Sequence, residues 1–316
     1  MTWAAGGLVQ ASDLNTMLGG NPTTTTNTLN ATWATGGSQA GYGQTAVANV
    51  SAGSIISATP WNGLFYNTGN SASHQGTTIT SISNVSSSNI VTFYSAAQTN
   101  LNSIYASRGN AASQGSTSAN AITTAATWTA TATWTHTVTF ANGDAARYFF
   151  NSGGQIKMTA SHSNSTSGVN AALQTLCTAT GTVVVSGQNS GSRTIAGTAF
   201  TGVTKISGSG STETLSTNSG YFGLTTSNTT IFDQNSGTSP YTTLMDLQYI
   251  AKTNGVQGSN ADNGTVVTIF TLMRETGANG TVGTGTTVTC TLTPPATTYI
   301  ANTWGAVTLA GSVTVS

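Results

Sequence analysis

Between Thr127 and Phe140 polar and apolar positions alternate without a break. Thr127, Thr129, Thr131, Thr133, Thr135, Thr137 and Thr139 are interleaved with Trp128, Ala130, Ala132, Trp134, His136, Val138 and Phe140. Strand side chains point alternately to opposite faces, so this spacing predicts a strand with one buried face and a hydroxyl ladder on the other. The ladder runs into Asn142-Gly143, a strong hairpin signal because both residues tolerate positive φ. The chain is expected to return as a strand through "AARYFF", turn at "NSGG" and alternate again in "QIKMTASH". Thr127 to Met158 thus reads as a three-stranded antiparallel meander.

Further strands are expected at "GTVVVSG", "TGVTKISGSG", "SGYFGLTTS", "TTIFDQ", "LMDLQYIAKTN", "GTVVTIFTLMRET" after a turn at Asp262 to Gly264, and "GTTVTCTLTP". One short helix is expected at Val169 to Cys177. Many short strands separated by Gly and Asn turns indicate an antiparallel β-sandwich or jelly roll.

The first third of the chain has a different grammar. "LVQASDLNTML" (Leu8 to Leu18) repeats as "IISATPWNGLF" (Ile55 to Phe65), pairing Leu8 with Ile55, Leu14 with Trp61, Asn15 with Asn62 and Leu18 with Phe65. Each copy has the form of a helix start, with Ser12 or Thr59 as N-cap, Asp13 at the positive end of the dipole and Pro60 at the first helical position. A third helix is expected where Ile90, Tyr94, Ala97, Leu101 and Ile104 recur at four- and three-residue spacing before Arg108-Gly109. The predicted organisation is a helical docking domain over 1–110, with long polar loops such as "GGNPTTTTNTLNATWATGG", a linker over 111–126, and a β-sandwich over 127–316. The fold class is α+β, mainly β.

Composition sharpens this picture. Only 4% of the 316 residues are charged, seven acids against seven Lys and Arg, where about 25% is usual. Disorder driven by charge needs a high net charge, and nucleic-acid binding needs clustered cations, so both classes are set aside. A neutral surface of Ser, Thr, Asn, Gln and Gly does not resist packing against copies of itself, which suggests a part of an assembly. The start "MTWAAGGLVQ" lacks the basic and apolar regions of a secretory signal, and no window of 18 apolar residues suggests a membrane span.

Candidate chemistry is sparse, and a non-enzyme without cofactors is expected. His136 and His162 are expected to share the apolar face of the meander, but zinc needs three or four ligands and no third is evident. His74 falls in a predicted loop. Asp13, Asp144, Glu213, Asp233, Asp246, Asp262 and Glu275 are scattered singly, not spaced as a glycosidase pair. No nucleophile elbow, zinc-protease, phosphate-loop or calcium-loop motif occurs. Asp144 and Arg147 are expected to pair across the hairpin, worth at most about 1 kcal/mol if exposed. Cys177 and Cys290 read as buried thiols. The threonine ladder raises an ice-binding alternative, set aside because the neighbours expected beside it do not continue it. A bacterial surface adhesin or surface-layer subunit also fits the low charge, although calcium repeats are missing; a tail depolymerase would need an acid pair and a regular repeat.

"FANGDAARYFFNSGGQIKMTAS" (Phe140 to Ser161), with "GYFGLTTSNTTIFDQ" and "YIAKTNG" downstream and "YGQTAVANVSAGSIISATPWNGL" upstream, resembles virion structural proteins of tailed bacteriophages, especially those of marine bacteria. The resemblance spans roughly residues 5 to 275. It implies a fibre, neck or tail component attached through its N-terminal region, with other virion proteins as partners. Fibres of such particles are commonly homotrimers, and Ile90, Tyr94, Ala97, Leu101 and Ile104 are the expected helical seam, unless they close the core of one chain. Leu8, Leu14, Leu18, Ile55, Trp61 and Phe65 complete the expected assembly set.

Overall fold

The computed structural model describes residues 11–19, 27–51, 53, 57–85, 93–164, 168–188, 190–210, 213–257, 262–277 and 280–316. Four helices come first: α1 (Ala11–Leu18), α2 (Leu29–Thr32), α3 (Ala58–Gln75) and α4 (Tyr94–Ala106). The β region inserts two more, α5 (Gly143–Asn151) and α6 (Gly168–Thr180), among its strands. These are β1 (Ser118–Thr123), β2 (Thr131–Thr139), β3 (Gln155–His162), β4 (Thr182–Val185), β5 (Arg193–Ile195), β6 (Thr198–Phe200), β7 (Val203–Lys205), β8 (Glu213–Leu215), β9 (Thr229–Asn235), β10 (Met245–Thr253), β11 (Val266–Glu275), β12 (Thr286–Thr293) and β13 (Thr308–Val315).

A five-stranded sheet in the order β1-β12-β3-β4-β7 faces a six-stranded sheet in the order β13-β2-β11-β10-β9-β8, and every pairing in both is antiparallel. β5 and β6 form a separate ribbon. The protein is therefore a small helical region followed by a mainly β, sandwich-like body. Ala132, Trp134, His136 and Val138 point into the sandwich from β2, as the alternation requires, and the threonines of that strand are half-exposed. The Trp134 indole donates to the Ile122 carbonyl across the gap between sheets at 3.0 Å. One cluster of buried apolar side chains runs from Leu14 of α1 to Trp304, so helices and sandwich share a core.

The meander does not form. "AARYFF" is the helix α5, and β2 pairs with β11 and β13 while β3 lies in the opposite sheet. Asn142 is a helix cap rather than a hairpin residue: its side chain accepts from the Ala145 N–H at 2.8 Å, and Asp144 sits in the first turn. Ala145, Ala146, Phe149 and Phe150 are then buried at helical spacing, which a six-residue run between two turn signals concealed. The expected linker carries β1, with Ala111 and Gln114 bridged to Ile195 and Pro295. The expected strand at 219–227 contains a single 3-10 turn, Tyr221–Gly223. The polar loop after α1 contains α2, and α6 runs beyond the predicted 169–177 at both ends.

Helix starts are also displaced. Ser12 lies within α1, and Ser57 occupies the N-cap position of α3 without a side-chain capping bond, so Thr59 and Pro60 sit in its first turn, where a missing N–H still costs nothing. The repeat is explained by its asparagines. Asn15 donates to the Val50 carbonyl at 2.8 Å and accepts from the Val50 N–H at 2.9 Å; Asn62 does the same with Val85, at 3.2 and 2.8 Å. Asn30 and Asn100 grip Val47 and Thr80 in the same two-bond manner. Two segments that are neither helix nor strand, 42–51 and 77–85, are thus fastened to the helices by carboxamides, and Val47, Val50, Ile79, Ile82 and Val85 pack on the core.

Asn100 is buried, and truncation would strand the N–H and C=O of Thr80. Asn100→Ala is expected to lower the unfolding free energy by about 2 kcal/mol, read from the denaturant midpoint. Thr99→Ala, exposed on the same helix, is expected to stay within about 0.5 kcal/mol of wild type.

Candidate functional site

The segment Phe140 to Ile156 holds a buried polar junction centred on Arg147. Arg147, on α5, is fully buried, and its guanidinium is occupied on every side. Nη1 donates to the carbonyls of Thr35 at 2.7 Å and Ala40 at 2.9 Å. Nε and Nη2 reach Asp144 Oδ1 at 3.2 and 3.0 Å, and Nε lies 3.0 Å from Asp262 Oδ2. The ring of Tyr148 lies 4.6 Å below. One turn on, Asn151 Nδ2 donates to the carbonyls of Ala40 at 2.9 Å and Gly41 at 3.2 Å.

This arrangement depends on backbone that curls inward. Loop 35–41 presents its carbonyls because Gly36, Ser38 and Gly41 adopt positive φ, which is strained for Ser38. Gly143 has no room for a side chain, since a Cβ would come within 2.3 Å of the Asp262 carbonyl. Arg147 therefore joins three distant parts of the chain, and its pairing with Asp144 runs along a helix and is buried on the arginine side, not exposed across a turn. Sequence reasoning missed this node. The available signal was Asn142 preceding Asp144 with Arg147 at the three-residue spacing of a helical pair.

The histidines are not brought together. His74 lies buried in α3 rather than in a loop, its Nε2–H donating to the Ser152 carbonyl at 3.0 Å, and burial lowers its pKa to about 4. His136 and His162 belong to different sheets, which corrects the shared face. His162 Nε2–H donates to Asn170 Oδ1 at 3.1 Å and Nδ1 takes the Thr286 hydroxyl at 2.9 Å; burial depresses its pKa. Burial lowers the His136 pKa, opposed by a weak hydrogen bond to the Asn120 backbone that falls short of good geometry at either ring nitrogen. Among the described residues no three His, Cys, Asp or Glu side chains are grouped to hold a metal. Cys177 and Cys290 are free and buried, and burial pushes both thiols up to about 12.

Of the expected assembly residues, Leu14, Leu18, Trp61, Ala97, Leu101 and Ile104 are buried in this chain's own core, and Phe65 and Tyr94 pack partly against it. Phe65 and Trp61 meet Phe93 edge-on at 4.7 and 5.2 Å, closing α3 on the start of α4. Leu8, Ile55 and Ile90 lie outside the described residues. A cleft of about 290 Å³ runs beside these helices, lined by Leu64, Phe65, Ile79, Ile82 and Asn100 among others.

The threonine face has neighbours unlike those expected. β13 adds Thr308, Ala310, Ser312 and Thr314 on one side, while β11 sets Val266, Thr268, Phe270, Leu272 and Arg274 on the other. The outer sheet face is thus part hydroxyl and part apolar, with the Arg274–Asp246 ion pair at one end. No family model matches the chain, and neither the curated proteins nor the solved structures provide a similar one.

Two measurements test the junction. Arg147→Met leaves buried Asp262 without its cation and is expected to cost roughly 3–5 kcal/mol, whereas Asp144→Asn, at a half-exposed acid, is expected to cost about 1 kcal/mol or less. For His74 the folded pKa lies below the unfolded value of 6.5, so the unfolded chain binds the extra proton. Its contribution is complete above pH 6.5 and is lost as pH falls towards 4, a decline of roughly 3 kcal/mol that His74→Gln is expected to flatten in denaturation curves across that window.

Proposed function

We propose that the chain is a non-enzymatic structural subunit of a tailed-phage particle, built into a neck, collar or tail fibre through its helical N-terminal region. The observation that carries this reading is how the polar groups of the phage-like motif are used. Asn142 caps a helix, Arg147 and Asn151 gather the carbonyls of loop 35–41, and Asp144 and Asp262 face Arg147. All of them act as internal fasteners. The same side chains in a catalytic or ligand-binding motif would converge on a cleft.

The neutral exterior supports the same reading. A free protein normally keeps surface charge to stay dispersed, and this one carries seven acids and seven Lys and Arg in 316 residues. A surface of this kind suits a subunit covered by copies of itself and by other virion proteins. With Ala97, Leu101 and Ile104 spent inside the chain, contacts between copies fall to other surfaces.

Mass spectrometry of gradient-purified particles from an infected culture, followed by labelling with an antibody to the chain, tests the reading. The expected result is a stoichiometric virion protein located at the neck or tail. Absence from purified particles, with the chain recovered free in the lysate, would overturn it.

A further inference from the structure

The four outer edges of the two sheets are treated in two different ways. β7 and β8 are three residues long, and Lys205 and Glu213 form an ion pair between them. Short, charged edges are how sheets avoid pairing with foreign strands. At the other end of the sandwich β1 has six residues and β13 eight, none charged and none proline. No residue of β13 is buried.

The hydrogen-bond phase of β13 follows from its last rung. Ser316 N donates to Thr131 O at 2.9 Å, and the register continues from Val315↔Ala132. Antiparallel ladders alternate bonded and non-bonded pairs, so Thr308, Ala310, Ser312 and Thr314 turn their backbone groups towards β2. Leu309, Gly311, Val313 and Val315 then direct N–H and C=O to the open edge.

We infer that β13 is a strand-pairing interface whose partner is β13 of a second copy, antiparallel about a twofold axis through Ser312. This register sets Gly311 against Val313 and Leu309 against Val315, so every edge donor meets an acceptor. It also keeps the threonine faces of both copies on one side, because paired residues share a face. A second copy is the occupant the chemistry favours. Like-charge repulsion, which ordinarily prevents a strand from pairing with itself, is absent from β13 and from every residue after Glu275. The inference deepens the proposed structural role by naming a contact between copies.

Ser312 is exposed and would meet its own symmetry mate in a non-bonded pair, where side chains are closest. Ser312→Lys is therefore harmless to one chain and repulsive in the pair. The test is sedimentation equilibrium of the full chain with hydrogen exchange at the Leu309, Gly311, Val313 and Val315 amides. Expected are a wild-type dimer with slow edge amides, at least tenfold weaker association for Ser312→Lys and for Ser312→Glu alone, and recovery when the two variants are mixed. A wild-type monomer with fast edge amides overturns the inference and leaves the virion role to its own test on particles. A dimer that ignores Ser312→Lys also overturns it, because association would then use another surface.

Discussion

A guanidinium withdrawn from water must be surrounded by acceptors, and most of what is unusual in this fold follows from satisfying Arg147. Its partners come from a loop near residue 40, from its own helix and from the approach to β11. None of these is adjacent in sequence to the others. The loop can supply carbonyls only by bending through positive φ at Gly36 and Gly41, and the approach to β11 can come close only because residue 143 is glycine. The helical region is therefore held to the sandwich by a geometric requirement of one side chain as well as by the shared apolar core.

Elsewhere the chain fastens itself with neutral groups. A carboxamide sets an N–H donor beside a carbonyl acceptor at the spacing of a peptide unit, so it can replace a missing strand neighbour. Asn15, Asn30, Asn62 and Asn100 do this in the helical region, and Gln44 does it with Ala301, at 2.9 Å in both directions, between the two halves of the chain. Such pairs carry no net charge and are not screened by salt as surface ion pairs are. A protein with 4% charged residues can thus be tied together over long sequence distances without electrostatic attraction.

The threonine alternation made β2 legible, because a strict period of two over nine residues admits one secondary structure. β12 alternates in the same way, while β10 and β11 were legible as short apolar runs set between Gly and Asn turn signals. α5 was not: the Asn-Gly pair before it serves equally as a turn or as a helix start, and only the burial of Phe149 and Phe150 on one side decides. β13 is hard to read in "TLAGSVTV", whose small residues give little apolar contrast although Leu309, Val313 and Val315 pack partly on the core. The repeat of Asn15 and Asn62 was visible as an alignment. Its meaning was not, since the backbone each one grips lies 35 and 23 residues away.

Strand order also governs how the molecule comes into being. β2 lies between β11 and β13, so the strand that leaves the ribosome second has no partner until residue 266 and remains an edge until residue 308. Contacts so distant in sequence are slow to form, because the intervening loop must close before any pairing rewards it. While residues 140 to 265 are being made, Trp134 and the threonines around it therefore lie in a segment without a strand partner. β11 comes to one side of it and β13 to the other, with Val313 opposite Trp134.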